Sequence, residues 1–263
     1  MKLSTLSLSY GPNPEIKKGH TMGAIEAIRK GFAIANKNLG LAAILFIFSL
    51  IGEFISTRFI EIDTAAIAAQ LTSLTLVGII VLIEIFIQGG TLGVIRDYIK
   101  EGKVRLTDFA KYGLKYYLRL LGAGLAIVGA AIIVFIAGNL LMIPMAISKL
   151  ILLGGIIALI VTGIGIYLVL LMAALFPYEI VCGNASVMEA LAGSIDITRR
   201  FINKFALLFL IIALIGLAWM ILLKLIPADN QTLTLIIRGV FNGYFGVVIP
   251  ASIMSFYLFV TAK

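Results

Sequence analysis

Six apolar runs alternate along the chain with short polar segments, and each run is about the 20 residues that a bilayer crossing needs. They cover about residues 39–59, 72–94, 120–143, 150–177, 205–226 and 236–260. The pattern predicts an all-α, polytopic membrane protein with six transmembrane helices. No run shows the strict alternation of a half-buried strand.

The polar segments between the runs repeat. Glu26 to Lys37 reads EAIRKGFAIANK, Asp108 to Arg119 reads DFAKYGLKYYLR, and Glu189 to Arg200 reads EALAGSIDITRR. Each window opens on an acid. A small residue follows five places on (Gly31, Gly113, Ser194), with an apolar one next (Phe32, Leu114, Ile195). Each ends on a base eleven places after the acid and runs straight into an apolar span. The acids stand 82 and 81 residues apart. A fixed period of this kind points to a repeated structural unit.

The expected unit is an interfacial amphipathic helix, an elbow and a hairpin of two spans. Three units cover about 21–94, 103–180 and 184–263 of a single membrane domain, after a short polar tail, 1–20. Met188, Leu191 and Ile195 share one helical face, as do Ile25, Ile28 and Phe32. Such a helix lies in the headgroup plane with its apolar face down. The basic residues Lys37, Arg119 and Arg200 then fall at the elbows, where they can reach lipid phosphates. Glu26, Asp108 and Glu189 sit near the helix starts, where the dipole favours a negative charge. Ser186 and Glu189 have capping-box spacing.

Charge fixes the expected orientation. Of the 21 Lys and Arg residues, 17 lie in the N-terminal segment, after the second and fourth spans, and at the C-terminus. Only Arg58, Lys149, Lys224 and Arg238 lie on the other side. The positive-inside rule then places both termini in the cytoplasm, with the plasma membrane as the expected location. The N-terminal residues lack the apolar core of a signal peptide.

Composition narrows the function. The 263 residues are 61% hydrophobic and 13% charged, about half the charge of a soluble domain, with mean hydropathy +1.12. One cysteine, Cys182, and one histidine, His20, exclude an intramolecular disulfide and a His/Cys metal cluster. The net charge of +8 is dispersed around one rim. That suits anionic lipid headgroups, not nucleic acid. No P-loop, nucleophile elbow or HExxH is present, so no cofactor or catalytic residue is expected.

Charges inside spans are costly and are the default functional candidates. Glu84 lies near the middle of the second span and Glu53 in the outer part of the first. Asn139, Tyr167, Asn242 and Tyr244 are potential polar partners. Gly89, Gly90, Gly93 and Pro250 weaken helices, as in ordinary spans or broken transporter helices. Gly122, Ala126 and Ala130 form a small-residue strip suited to close packing. Asp196 and Arg199 have ion-pair spacing.

The run FPYEIVCGNASVMEALAGSIDITRRFINKF ends a span in an aromatic, a proline and a short acidic turn, then enters an EAL…S helix. It resembles a signature of six-span membrane-protein families of unknown function, related to the membrane domain of glycerophosphodiester phosphodiesterases. GGTLGVIRDYIKEGKVRLTDFAKYG is similar to the central part of the same families. The resemblance covers most of the chain in layout. It implies a fold; without a soluble phosphodiesterase domain it implies no such activity. The expected role is therefore non-enzymatic: organising or binding lipids or partner proteins at the cytoplasmic face. The alternative is a lipid or small-molecule transporter built on Glu84.

Overall fold

A computed structural model describes residues 22–59, 67–140, 143, 151–224 and 231–262. The tail 1–20 and Lys149 lie outside the described residues, as does the side chain of Arg58. Among the described residues there are eight α-helices, one short 3₁₀ turn at Leu106–Asp108 and no strand. The helices are α1 (Ala24–Lys37), α2 (Leu39–Phe59), α3 (Ile67–Glu101), α4 (Phe109–Leu140), α5 (Ile151–Ala173), α6 (Phe176–Gly183), α7 (Val187–Lys224) and α8 (Gln231–Thr261).

Within the described residues each expected apolar run is helical, and the run at 150–177 passes from α5 through a turn at 174–175 into α6. Among the described residues four helical stretches are long and apolar enough to cross a membrane: Thr75–Glu101, Leu106–Leu140, Val187–Lys224 and Thr232–Thr261. The bent pair of α1 and α2 adds a fifth if it counts as one span. Leu153–Val169 of α5 is apolar but shorter. Large apolar side chains cover the outside, among them Leu118, Ile133, Leu159 and Met188. An outer surface of that kind belongs in lipid.

Two devices break the helices where the polar windows end. Between α1 and α2 the chain turns by 87°. Asn38 makes the turn: its N–H donates to Ala35 O and its Nδ2 to Ile34 O, while its own carbonyl accepts from Leu41 and Ala42. One residue thus closes α1 and opens α2. In α7 the break is at Phe201, whose φ of −123° and ψ of 22° are not helical. The 38 residues of α7 would span about 57 Å at 1.5 Å each, far more than the roughly 30 Å of hydrocarbon. The kink separates a polar first part from an apolar span. The middle window has no such break, since α4 runs straight through Arg119.

Helix ends follow local chemistry. Gly102, at φ +69°, ends α3, and its N–H bonds back to Tyr98 O. Asn184, at φ 52°, ends α6. Pro177 stands in the first turn of α6, where its missing N–H costs nothing.

Glycines set the close contacts. On α3, Gly90 and Gly93 lie against Phe109 and Tyr112, and Gly113 of α4 lies against Phe86. Gly239 and Gly243 of α8, four apart, face Phe46 of α2. This is small-residue packing. Gly89, Gly90 and Gly93 therefore join helices, and α3 runs unbroken through them. In the strip at Gly122, Ala126 and Ala130, Gly122 lies against Val187 of α7 while Ala126 is exposed, and α4 meets α5 at Gly138, against Thr162.

The pairing of helices leaves an opening between α2 and α3. α1 and α2 pack on α8, while α3 packs on α4 and α4 on α5. α2 and α3, consecutive in the chain, barely touch. The core is built around Leu41, Ile95, Tyr116, Phe176, Phe205 and Phe256.

Candidate functional site

The gap between α2 and α3, backed by α8, forms a partly open cleft of about 990 Å³. Most of its wall is aliphatic, including Leu45, Val77, Ile80 and Ile87. Its polar groups come from all three helices. Glu84, Gln88 and Thr91 follow one another at helical spacing on α3 and face the cleft together. Ser49 and Glu53 come from α2, and Asn242 from α8. Tyr178 of α6 lines it as well.

Glu53 and Glu84, the two intramembrane carboxylates expected from the sequence, thus line one cavity. Of the four polar partners considered for Glu84, only Asn242 shares that cavity. Asn242 donates to Ser49 Oγ at 3.1 Å. Tyr244 instead donates to Asn36 at 2.7 Å. Asn139 donates to Phe135 O within its own helix, and Tyr167 is exposed. Arg238 approaches Glu53 at 3.9 Å.

Two acceptor and donor groups in the cleft follow from backbone and burial. Pro250 has no N–H, so the carbonyl of Gly246, four residues earlier, lacks its helical donor. Both residues line the cleft. Thr91 is 3% exposed, and its Oγ1 has no hydrogen-bond partner. A buried hydroxyl without a partner is uncommon and calls for an explanation.

Below the cleft, α3, α4 and α6 are tied by a polar cluster. Arg96 donates to Asp97 through Nε at 2.8 Å and Nη2 at 2.6 Å, to Val181 O at 3.1 Å, and to the hydroxyl of Tyr116. Tyr112 donates to the other oxygen of Asp97. The guanidinium also lies 5.2 Å from the Tyr112 ring, within cation–π range. Arg96 and Asp97 are nearly buried. In the sequence Arg96 stands only as one of the bases after the second span. Its signal was there: adjacent Arg and Asp at a span end, and tyrosines four apart in KYGLKYY.

A second, partly buried acid, Glu179, lies on α6. It accepts a hydrogen bond from Tyr257, yet burial pushes its carboxyl above the usual range. A Cβ on Gly193 would stand 3.0 Å from its Oε1, so the glycine makes room for it. Nearby Cys182 is buried, and burial pushes its thiol up to about 12.

The bases that close the three windows have different surroundings. Arg119 donates to Asn184, to its carbonyl at 3.0 Å and its side chain at 2.8 Å. Arg200 pairs with Asp196 at 2.8 Å, so that acid's partner is Arg200, not Arg199. Lys37 is exposed at the end of α1. Among the acids, Glu26 approaches Lys30 at 3.9 Å, and Asp108 ends the 3₁₀ turn. Glu189 forms the expected capping box, accepting from the N–H and Oγ of Ser186 at 2.9 Å. The small residue of each window is buried: Gly31 against Ser252, Gly113 against Phe86, and Ser194. No group of acidic, His or Cys residues suited to a metal occurs among the described residues.

A family model described as "Domain of unknown function (DUF7847)" matches residues 22–260. The chain belongs to this family. The match runs from the start of α1 almost to the end of α8, so the cleft and the polar cluster both lie inside the family domain. No curated protein and no solved structure matches the chain.

Proposed function

We propose that this membrane protein binds an amphiphilic, lipid-class molecule in the cleft between α2, α3 and α8. The observation that carries the reading is the cleft itself. An aliphatic wall with a few convergent polar groups is the usual character of a small-molecule site, and its volume lies at the upper end of the ordinary range. Binding of this kind needs no bond to form or break, so the reading is non-enzymatic.

The proposal includes six spans with both termini in the cytoplasm of a plasma-membrane protein, as the basic bias suggests. It includes three repeats, and a fold shared with the membrane domain of glycerophosphodiester phosphodiesterases. The packing order supports the repeats. The first helices of the first unit lie on the last helix of the third, and α4 of the second unit lies on α3 of the first. α7 of the third unit lies on α5 and α6 of the second. Such an order is what a ring of three repeats about an axis along the membrane normal needs. Arg119 and Arg200 have protein partners, which favours the cleft over the rim as the site where lipid is held.

A photoactivatable residue placed at Gln88, inside the cleft, tests the reading. We expect it to trap one lipid species far above its share of the membrane. The same probe at outward-facing Leu159 should trap bulk lipid. Equal lipid profiles at the two positions would overturn the proposal. Glu84 in the cleft also favours transport as a second reading, for which a proteoliposome flux lost in Glu84→Gln is the test.

A further inference from the structure

The polar end of the cleft has a definite chemistry. Its carboxylates are Glu53 and Glu84, and among the described residues no Lys, Arg or His lines it. Arg238, outside the lining, approaches Glu53. That leaves Glu84 as the excess negative charge. The carbonyl of Gly246 and the oxygen of Gln88 add acceptors. Thr91 adds a buried hydroxyl with no partner in the protein. An isolated carboxylate at bilayer depth is costly unless a cation or proton joins it.

From this charge pattern and the unpartnered Thr91, we infer that the cleft selects an amphiphile with an ammonium head, with Glu84 as its counter-ion. The inference rests on the proposal that the cleft binds amphiphiles, and adds which head it takes. The ammonium N–H groups bond to acceptors along the Glu84–Gln88–Thr91 stripe. The alkyl tail lies along Val77, Ile80 and Val81 toward the bilayer. A carboxylate or phosphate head would meet only like charge from Glu84, which gives selection by repulsion as well as attraction.

Dodecylammonium, dodecanol and dodecanoate, titrated onto the full chain in an uncharged maltoside detergent, separate the possibilities. Thermal stabilisation is the readout, because a ligand of the folded state raises the unfolding temperature in a saturable way. We expect saturable stabilisation by the ammonium at a concentration about tenfold or more below that for the alcohol, since one charge-assisted bond is worth about that factor. Glu84→Gln should remove the preference and leave alcohol binding in place. Thr91→Val should weaken the ammonium severalfold without touching Glu84. If the alcohol or the carboxylate binds as tightly as the ammonium, or Glu84→Gln leaves the preference intact, the charge assignment is wrong although the cleft still binds amphiphiles. If none of the three stabilises the protein, the amphiphile reading itself fails.

Discussion

Gly31 has no room for a methyl group. A Cβ there would come within 2.0 Å of Ser252 Oγ and 2.6 Å of Val248 O, and the carbonyl belongs to the backbone of α8. Gly31→Ala should therefore cost about 1–3 kcal/mol as α1 lifts from α8. Gly129, with nothing within 4 Å of its Cβ position, is the control. Its alanine variant should be neutral or gain up to about 1 kcal/mol from helix propensity. Thermal unfolding in detergent compares the two. Glu179 gives a second prediction at this scale. Burial raises its folded-state carboxyl above the unfolded value of about 4.3. Folding therefore favours the protonated form, and stability falls as pH rises from about 4.3 through the raised value. Glu179→Gln should flatten that slope in unfolding curves measured across pH. An unchanged slope would show that Glu179 is not the group responsible.

At the scale of elements, Arg96 holds α3, α4 and α6 together through one planar fork. Lysine can supply the charge but not the fork. Arg96→Lys should lose about 1–3 kcal/mol. Arg96→Ala should lose about 3–5 kcal/mol, because it strands the buried Asp97 carboxylate. Equal unfolding temperatures for arginine and lysine would remove the fork from the account. The apolar runs were legible because a 20-residue uncharged stretch has few other uses. The elbow after Lys37 was legible from the switch of polarity there. The straight path of α4 through Arg119 was not, because the same polarity pattern suits a bent or a continuous helix. Packing decides between them, and Arg119 finds Asn184 across the α6–α7 turn. Likewise the sequence marks Ser194 only as the small residue of its window, while the buried face of α7 that contains it, Ala190, Ser194 and Thr198, depends on what lies opposite.

The whole molecule shows where sequence reading reaches its limit for the site. Glu84 and Glu53 stood out because a charge in an apolar run is visible by itself. Thr91, Gln88 and the freed carbonyl of Gly246 were invisible, because each is ordinary until α2 and α8 arrive beside it. The cleft also depends on a pairing that no local pattern announces: α2 leans on α8 and not on its neighbour α3. The central claim is that this opening holds one amphiphile. Native mass spectrometry of the full chain released from membranes tests it most directly, with Ile80→Trp as the variant that fills the cleft. The account predicts one retained amphiphile per wild-type chain and its loss from Ile80→Trp at unchanged folding. An identical adduct on both proteins, or none on the wild type, would contradict it.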